Sequence, residues 1–329
     1  MAKTSSSLFV YPRVWTGRAA SMAARYRHLL SAFNGVEPDE STQQRLIQCL
    51  GDSGQEPDLG EAADAADSIV VGAGPPEAVK LAIKIAEKYR DKAVISWHDP
   101  LMPEHRQLEQ KAAQAAKRHL CPTKPHRDLL KSLGAESVAC CTPLLDDHEI
   151  PVLDRREKWD VCHFGWVGRN ARDLPGLVRG VASARRGDAP WRVIQFGPLP
   201  KGMAIQLLKY RLQGAFSIEG ETPQSDAPAV YSRMRAAAVL QLGGYLGEMC
   251  IPGKLIETVL NGCPPVCDRR GKLLAAVCDE AGLPSWTTPT DAVGVLELID
   301  SFVGKEFARR LGSAIADMGC VEAFNALCG

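Results

Sequence analysis

Short, uninterrupted apolar runs alternate along this chain with longer stretches whose apolar positions recur every three to four residues. The first runs are residues 7–12 (SLFVYP), 68–74 (SIVVGAG), 93–100 (AVISWHDP), 119–123 (HLCPT) and 137–144 (SVACCTPL). Helical period predicts helices over 17–33, 75–92, 104–118 and 124–134. Their punctuation agrees: Gly17 opens the first helix and Gly35 lies just past its end, proline occupies the first turn of the second, and Gly134 closes the last. Residues 36–67 read as polar and helix-like. Strands that are apolar throughout, rather than alternating, are buried on both faces. Separated by helices, they predict a mostly parallel sheet.

Residues 144–160 (LLDDHEIPVLDRREKWD) are polar and broken by Pro151, and they predict a linker. The pattern then restarts, with strands expected over 161–168, 191–198, 215–220, 238–245 and 264–268. Helices are expected over 173–186, 201–213, 227–237, 253–261, 271–282, 290–303 and 305–318. The reading is an N-terminal domain over 1–150 and a C-terminal domain over 151–329, with the last helix free to pack back on the first domain. In the helix at 253–261, Leu255, Ile256, Val259 and Leu260 share one arc. Lys254 points roughly opposite, and Glu257 lies just outside the edge of the stripe. A segment with four glycines, 243–253, precedes it. Glycines let backbone N–H groups approach a ligand, and a helix N-terminus favours a phosphate. The plain alternative for Lys254 and Glu257 is an exposed i,i+3 ion pair contributing a few tenths of a kcal/mol.

Composition narrows the classes. Net charge is zero and hydrophobic content is 45%. That argues against a general electrostatic grip on nucleic acid, so none is expected as a partner. No apolar run approaches the length of a membrane span, and residues 1–12 do not resemble a secretory signal. The expected location is cytoplasmic, with peripheral contact on the cytoplasmic face of a membrane left open. The eleven cysteines lie mostly in apolar runs, the usage of a reducing compartment. The spacing of Cys263, Cys267 and Cys278 fits no standard zinc pattern, and no metal is expected. In parallel sheets ligands bind beyond the carboxyl ends of the strands. His98 and Asp99, which end a strand, are therefore candidate catalytic residues.

Several segments, in order, resemble the retaining GT-B glycosyltransferases, in particular glycosyltransferase family 4. FGWVGRNARDLPGLVRGVA (164–182) is similar to the family's first C-domain strand, loop and helix, and VIQFGP (193–198) to its next strand. PGKLIETVLNGCPPV (252–266) resembles its P-x-K-x-x-E-x-x-x-x-G-x-P-V segment, and 287–318 its terminal helical tail. The resemblance implies two Rossmann-like parallel-sheet domains facing a cleft, the second holding a nucleotide-sugar donor and the first an acceptor. It implies a transferase of the hexosyltransferase type that uses a UDP- or GDP-sugar without a cofactor or metal. The acceptor would be a carbohydrate, a lipid-linked glycan or a small molecule, and configuration at the anomeric carbon would be retained.

By that resemblance Glu257 holds the donor ribose, Lys254 lies near the diphosphate, and Arg169 reaches the diphosphate from the first loop. Arg172, Gly197, Glu248 and Leu255 complete the donor set. Gly17 and Arg18 form a phosphate loop in the first domain, and His98 contacts the donor sugar or the acceptor. Glu248 and Glu257 are separated by eight residues, one more than the family's paired glutamates, and Arg172 is the only basic residue near the place of the usual loop lysine. Two alternatives stay open: a non-catalytic GT-B binding or assembly protein in a glycan pathway, and a GT-B sugar-nucleotide epimerase.

Overall fold

A computed structural model describes residues 7–11, 46–48, 59–140, 160–164, 177–178, 192–197, 205, 216–220, 222, 226–240, 244–283, 285–286, 310–311 and 313–314. The chain divides into two compact units, Met1–Pro143 with Ala316–Gly329, and Leu144–Ile315.

The first unit is built on six parallel strands: β1 (Ser7–Tyr11), β2 (Leu46–Gln48), β3 (Ser68–Ala73), β4 (Ala93–Trp97), β5 (Arg118–Cys121) and β6 (Ser137–Cys140). Their order across the sheet is β2-β1-β3-β4-β5-β6. The register sets Val10 beside Val71, Val71 beside Ile95 and Ile95 beside His119. Every residue of β3 and β4 is buried, as strands covered on both faces require. The described helices are α1 (Gly60–Ala65), α2 (Pro76–Lys88), α3 (Arg106–Ala115) and α4 (Lys124–Ser132). In α2 the apolar period is met by burial of Ala78, Val79, Leu81, Ala82, Ile85 and Ala86, and Pro76 starts the helix where no N–H partner is lost. Burying a side chain such as Val79 or Ile85 contributes about 1.5–3 kcal/mol. Residues 36–67, expected to be helix-like, supply β2 and α1. β2 pairs in parallel with β1 through Phe9 beside Leu46.

The second unit carries β7 (Asp160–Phe164), β8 (Arg192–Phe196), β9 (Phe216–Gly220), β10 (Ala236–Val239), β11 (Pro265–Asp268) and β12 (Ser285–Trp286). All pair in parallel, in the order β12-β11-β10-β7-β8-β9. This is a doubly wound order, two runs of strands wound outward from a first central strand. Its described helices are α5 (Ala227–Arg233), α6 (Tyr245–Met249), α7 (Gly253–Leu260) and α8 (Lys272–Ala281). Ile194, Phe196, Val230, Tyr231, Met234, Ala237 and Cys263 pack as one apolar cluster.

Three further details depart from the sequence expectation. The strand expected over 238–245 begins at Ala236 and ends at Val239, because the helix before it stops at Arg233 and Met234 is already extended (φ −94°, ψ 147°). A short helix, α6, occupies part of the glycine-rich segment. β12, which no apolar run announced, pairs with β11 through Cys267 and Ser285. The helices expected over 17–33, 201–213 and 290–303 lie outside the described residues, apart from Ile205. Among the described residues no helix is long and apolar enough to cross a membrane.

Candidate functional site

The strand order places a switch point in each sheet. In the second sheet it falls between β7 and β10, since the chain moves from β7 to β8 on one side and resumes at β10 on the other. Ligands of open parallel sheets lodge outside the carboxyl ends of such a strand pair, where the two following loops diverge. The segment after β7 contains Arg169 and Arg172, both outside the described residues. The segment after β10 leads through Gly244 into α6 and α7.

Gly244 has φ 93°, which an L side chain rarely adopts, and a Cβ there would meet nothing within 4 Å. α6 is a single turn bearing Glu248. The Glu248 carboxylate is about half exposed and accepts from Lys272 Nζ at 2.5 Å. α7 follows after Pro252. Its inner face buries Leu255, Thr258 and Val259. The side chains of Ile256 and Leu260 are outside the described set. Leu255 is fully buried and its N–H donates to Pro252 O at 2.9 Å, so its side chain acts as the anchor of the helix. Lys254 Nζ donates to Glu257 Oε2 at 2.8 Å, with both side chains only about a fifth exposed (22% and 20%). The i,i+3 pair is thus formed, but partly withdrawn from water rather than on an open surface. The helix ends cleanly: Glu257 O accepts from Asn261 N at 3.2 Å and from Asn261 Nδ2 at 2.7 Å, and Gly262 takes φ 63°.

Gly197 closes β8 with φ 103° and donates its N–H to Gly220 O at 2.6 Å, tying the carboxyl ends of β8 and β9. Beside them lies an open hollow of about 640 Å³ lined by Phe196, Glu219, Thr222, Asp226, Val230 and Arg233, among others. The sequence reading contained Gly197 but none of these lining residues. The available signal was position alone, since Thr222 and Asp226 follow the end of a strand.

In the first sheet the switch point falls between β1 and β3. Gly17 and Arg18 follow β1 in the chain and lie outside the described residues. His98 directly follows β4, and its N–H donates to Ala73 O, the last carbonyl of β3, at 2.7 Å. Its side chain is 34% exposed, with Nδ1 3.8 Å from Asp99 Oδ2. His98 and Asp99 therefore stand at the carboxyl edge of the sheet, adjacent to the switch-point strand.

No family model matches the chain, and no curated protein matches it. Solved structures do. An alpha-glucosyltransferase in complex with UDP and DNA superposes with a TM-score of 0.62 at 12% identity, over 99% of this chain and 100% of that one. A glycosyltransferase from Rickettsia africae ESF-5 superposes with a TM-score of 0.59 at 10% identity, covering 98% and 96%. The lipopolysaccharide outer core galactosyltransferase WaaB in its apo form gives 0.56 at 11% identity, covering 97% of both chains. The chain has the GT-B fold.

Among the described residues, Cys121, Cys140, Cys250, Cys263, Cys267 and Cys278 are buried thiols. A hydrogen bond with Cys278, together with burial, pushes the Cys267 thiol well above its ordinary value, which disfavours the reactive thiolate. Among the described residues no group of three or more His, Cys, Asp or Glu side chains is placed to hold a metal ion.

Proposed function

We propose that the chain is a retaining glycosyltransferase of the hexosyltransferase type. It takes a sugar from a UDP- or GDP-sugar and delivers it to a glycan, lipid-linked or small-molecule acceptor. The observation that carries this reading is the position of the Lys254–Glu257 pair. It lies on the crossover leaving the carboxyl end of β10, at the switch point of a doubly wound parallel sheet. The GT-B fold supports it, because solved proteins of this shape include an alpha-glucosyltransferase in complex with UDP.

In this reading the Glu257 carboxylate accepts from the donor ribose hydroxyls. Lys254 carries three N–H donors. One stays on Glu257, and the others turn to the diphosphate with Arg169. The leaving nucleoside diphosphate gains negative charge in the transition state. Cationic side chains and helix N-termini, rather than a metal ion, are assigned to stabilise it. The hollow beside Phe196 takes the nucleoside end. His98 contacts the transferred sugar or the acceptor, and Asp99 orients His98. The proposed location is cytoplasmic.

The test is a panel of nucleotide sugars read by thermal shift, followed by calorimetry on wild type and Glu257→Ala. A ligand at about 100 times its Kd stabilises by about 2.7 kcal/mol. One nucleotide class is expected to give that shift, and Glu257→Ala to weaken its binding by about tenfold or more, the loss of a charge-assisted hydrogen bond. Equal binding by the variant, or no shift across the panel, would remove the assignment. A second reading, a non-catalytic GT-B binding protein, is favoured by Glu248, whose carboxylate is already engaged by Lys272. It predicts donor binding with neither transfer nor hydrolysis.

A further inference from the structure

The segment from His98 to Leu101 is gripped at both ends by buried polar groups. On one side Trp97 is fully buried, and its Nε1–H donates to His119 Nδ1 at 3.3 Å. The Trp97 ring stands edge-on to that of His126, with centroids 5.5 Å apart and planes at 71°. On the other side the Leu101 N–H donates to Glu109 Oε1 at 3.2 Å. Glu109 is on α3 and has no solvent exposure. Its Oε2 accepts from Arg106, and its Oε1 lies 3.5 Å from His126 Nε2. Glu109 thus touches Leu101 directly, and His126 touches both Glu109 and Trp97.

Glu109 needs a reason. It occupies the inner stripe of α3 with Ala112 and Ala113, where an apolar side chain would pack without losing hydration. Buried ion pairs are often no more stabilising than well-packed hydrophobic residues of similar volume. What the carboxylate supplies that a methionine cannot is an acceptor for the Leu101 N–H. We propose that Glu109 is a positioning residue: it fixes the backbone of His98–Leu101, and so the direction of the His98 imidazole, while His126 and Trp97 brace the other end. The consequence for turnover rests on the glycosyltransferase reading; the consequence for the segment does not.

The experiment uses the full chain as wild type, Glu109→Met and Glu109→Gln. Methionine fills the stripe and removes the acceptor, whereas glutamine keeps an acceptor oxygen. Amide exchange at Leu101 and the Cε1–H resonance of His98 report the segment, and exchange in β3 reports the sheet. Glu109→Met is expected to speed Leu101 exchange by about tenfold or more with β3 unchanged, a local rather than global opening. The His98 resonance moves with it, and Glu109→Gln restores both in large part. Where transfer is measurable, Glu109→Met lowers kcat while UDP affinity stays within about twofold, since the nucleotide is held elsewhere. Unchanged Leu101 exchange and an unchanged His98 resonance in Glu109→Met overturn the proposal. Absence of any nucleotide binding by wild type overturns the glycosyltransferase reading alone. Should Glu109→Met fail to fold, Glu109→Leu, which likewise removes the acceptor for the Leu101 N–H, replaces it with the same deciding outcomes.

Discussion

At the scale of single residues, polar groups at apolar-stripe positions separate what the chain shows locally from what it hides. Glu257 stood out because it bordered a clear stripe beside a glycine-rich segment. Glu109 and His126 did not, although each sits where the helical period calls for an apolar side chain, Glu109 ahead of Ala112 and Ala113 and His126 ahead of Leu130. That mismatch was the available signal. Its meaning depends on Leu101, Trp97 and each other, which only folding brings near. His119 adds a titration. Burial pushes its pKa down to about 4 from 6.5, and the ring is held neutral, Nδ1 accepting from Trp97 while Nε2–H faces Ala113 O and Ala116 O at 3.1 Å each. The unfolded chain then binds the proton more readily, so stability is full above the unfolded value and falls with pH towards the folded one. Between about pH 7 and pH 5 this residue is expected to cost about 2 kcal/mol. Urea midpoints at the two pH values measure it. His119→Gln, which keeps a donor and an acceptor without a titrating proton, should flatten that difference.

At the scale of elements, helices with a strong apolar period were the most legible. α2, α7 and α8 lie within the stretches expected for them, because stripe, first-turn residue and stop residue are all local. Strands carry less information. The alanines at 236–238 are good helix formers by intrinsic propensity. They form β10 because that position between β7 and β11 is buried on both faces, and tertiary packing outweighs propensity. β2 and β12 are edge strands too short to show a pattern. A helix stop gives a direct test. Gly282 caps α8 in the left-handed region at φ 66°, where its N–H donates to Asp279 O at 3.2 Å. A Cβ there would make only ordinary contact, 3.6 Å from the Arg310 guanidinium, so backbone strain dominates. Gly282→Ala is expected to lower stability by about 1–2 kcal/mol, read from urea unfolding.

At the scale of the molecule, balanced charge is a property that needs no structure. With 39 basic and 39 acidic residues and a sequence pI near 7.0, the chain has little net repulsion between copies near neutral pH. Its solubility is expected to be lowest close to pH 7 and to rise on the alkaline side, as light scattering at constant ionic strength would show. By itself the sequence determined the two α/β halves, the parallel character of their sheets and a short set of candidate residues. Period, glycine and proline record those locally. Only the tertiary structure decided the order of the strands, hence where the two switch points fall and which loops flank them. It alone withdrew the Lys254–Glu257 pair from water, sent Glu248 to Lys272 and joined Glu109 to the segment after β4. These depend on which segments pack together in the folded chain, and such packing leaves no periodic trace in any one segment alone.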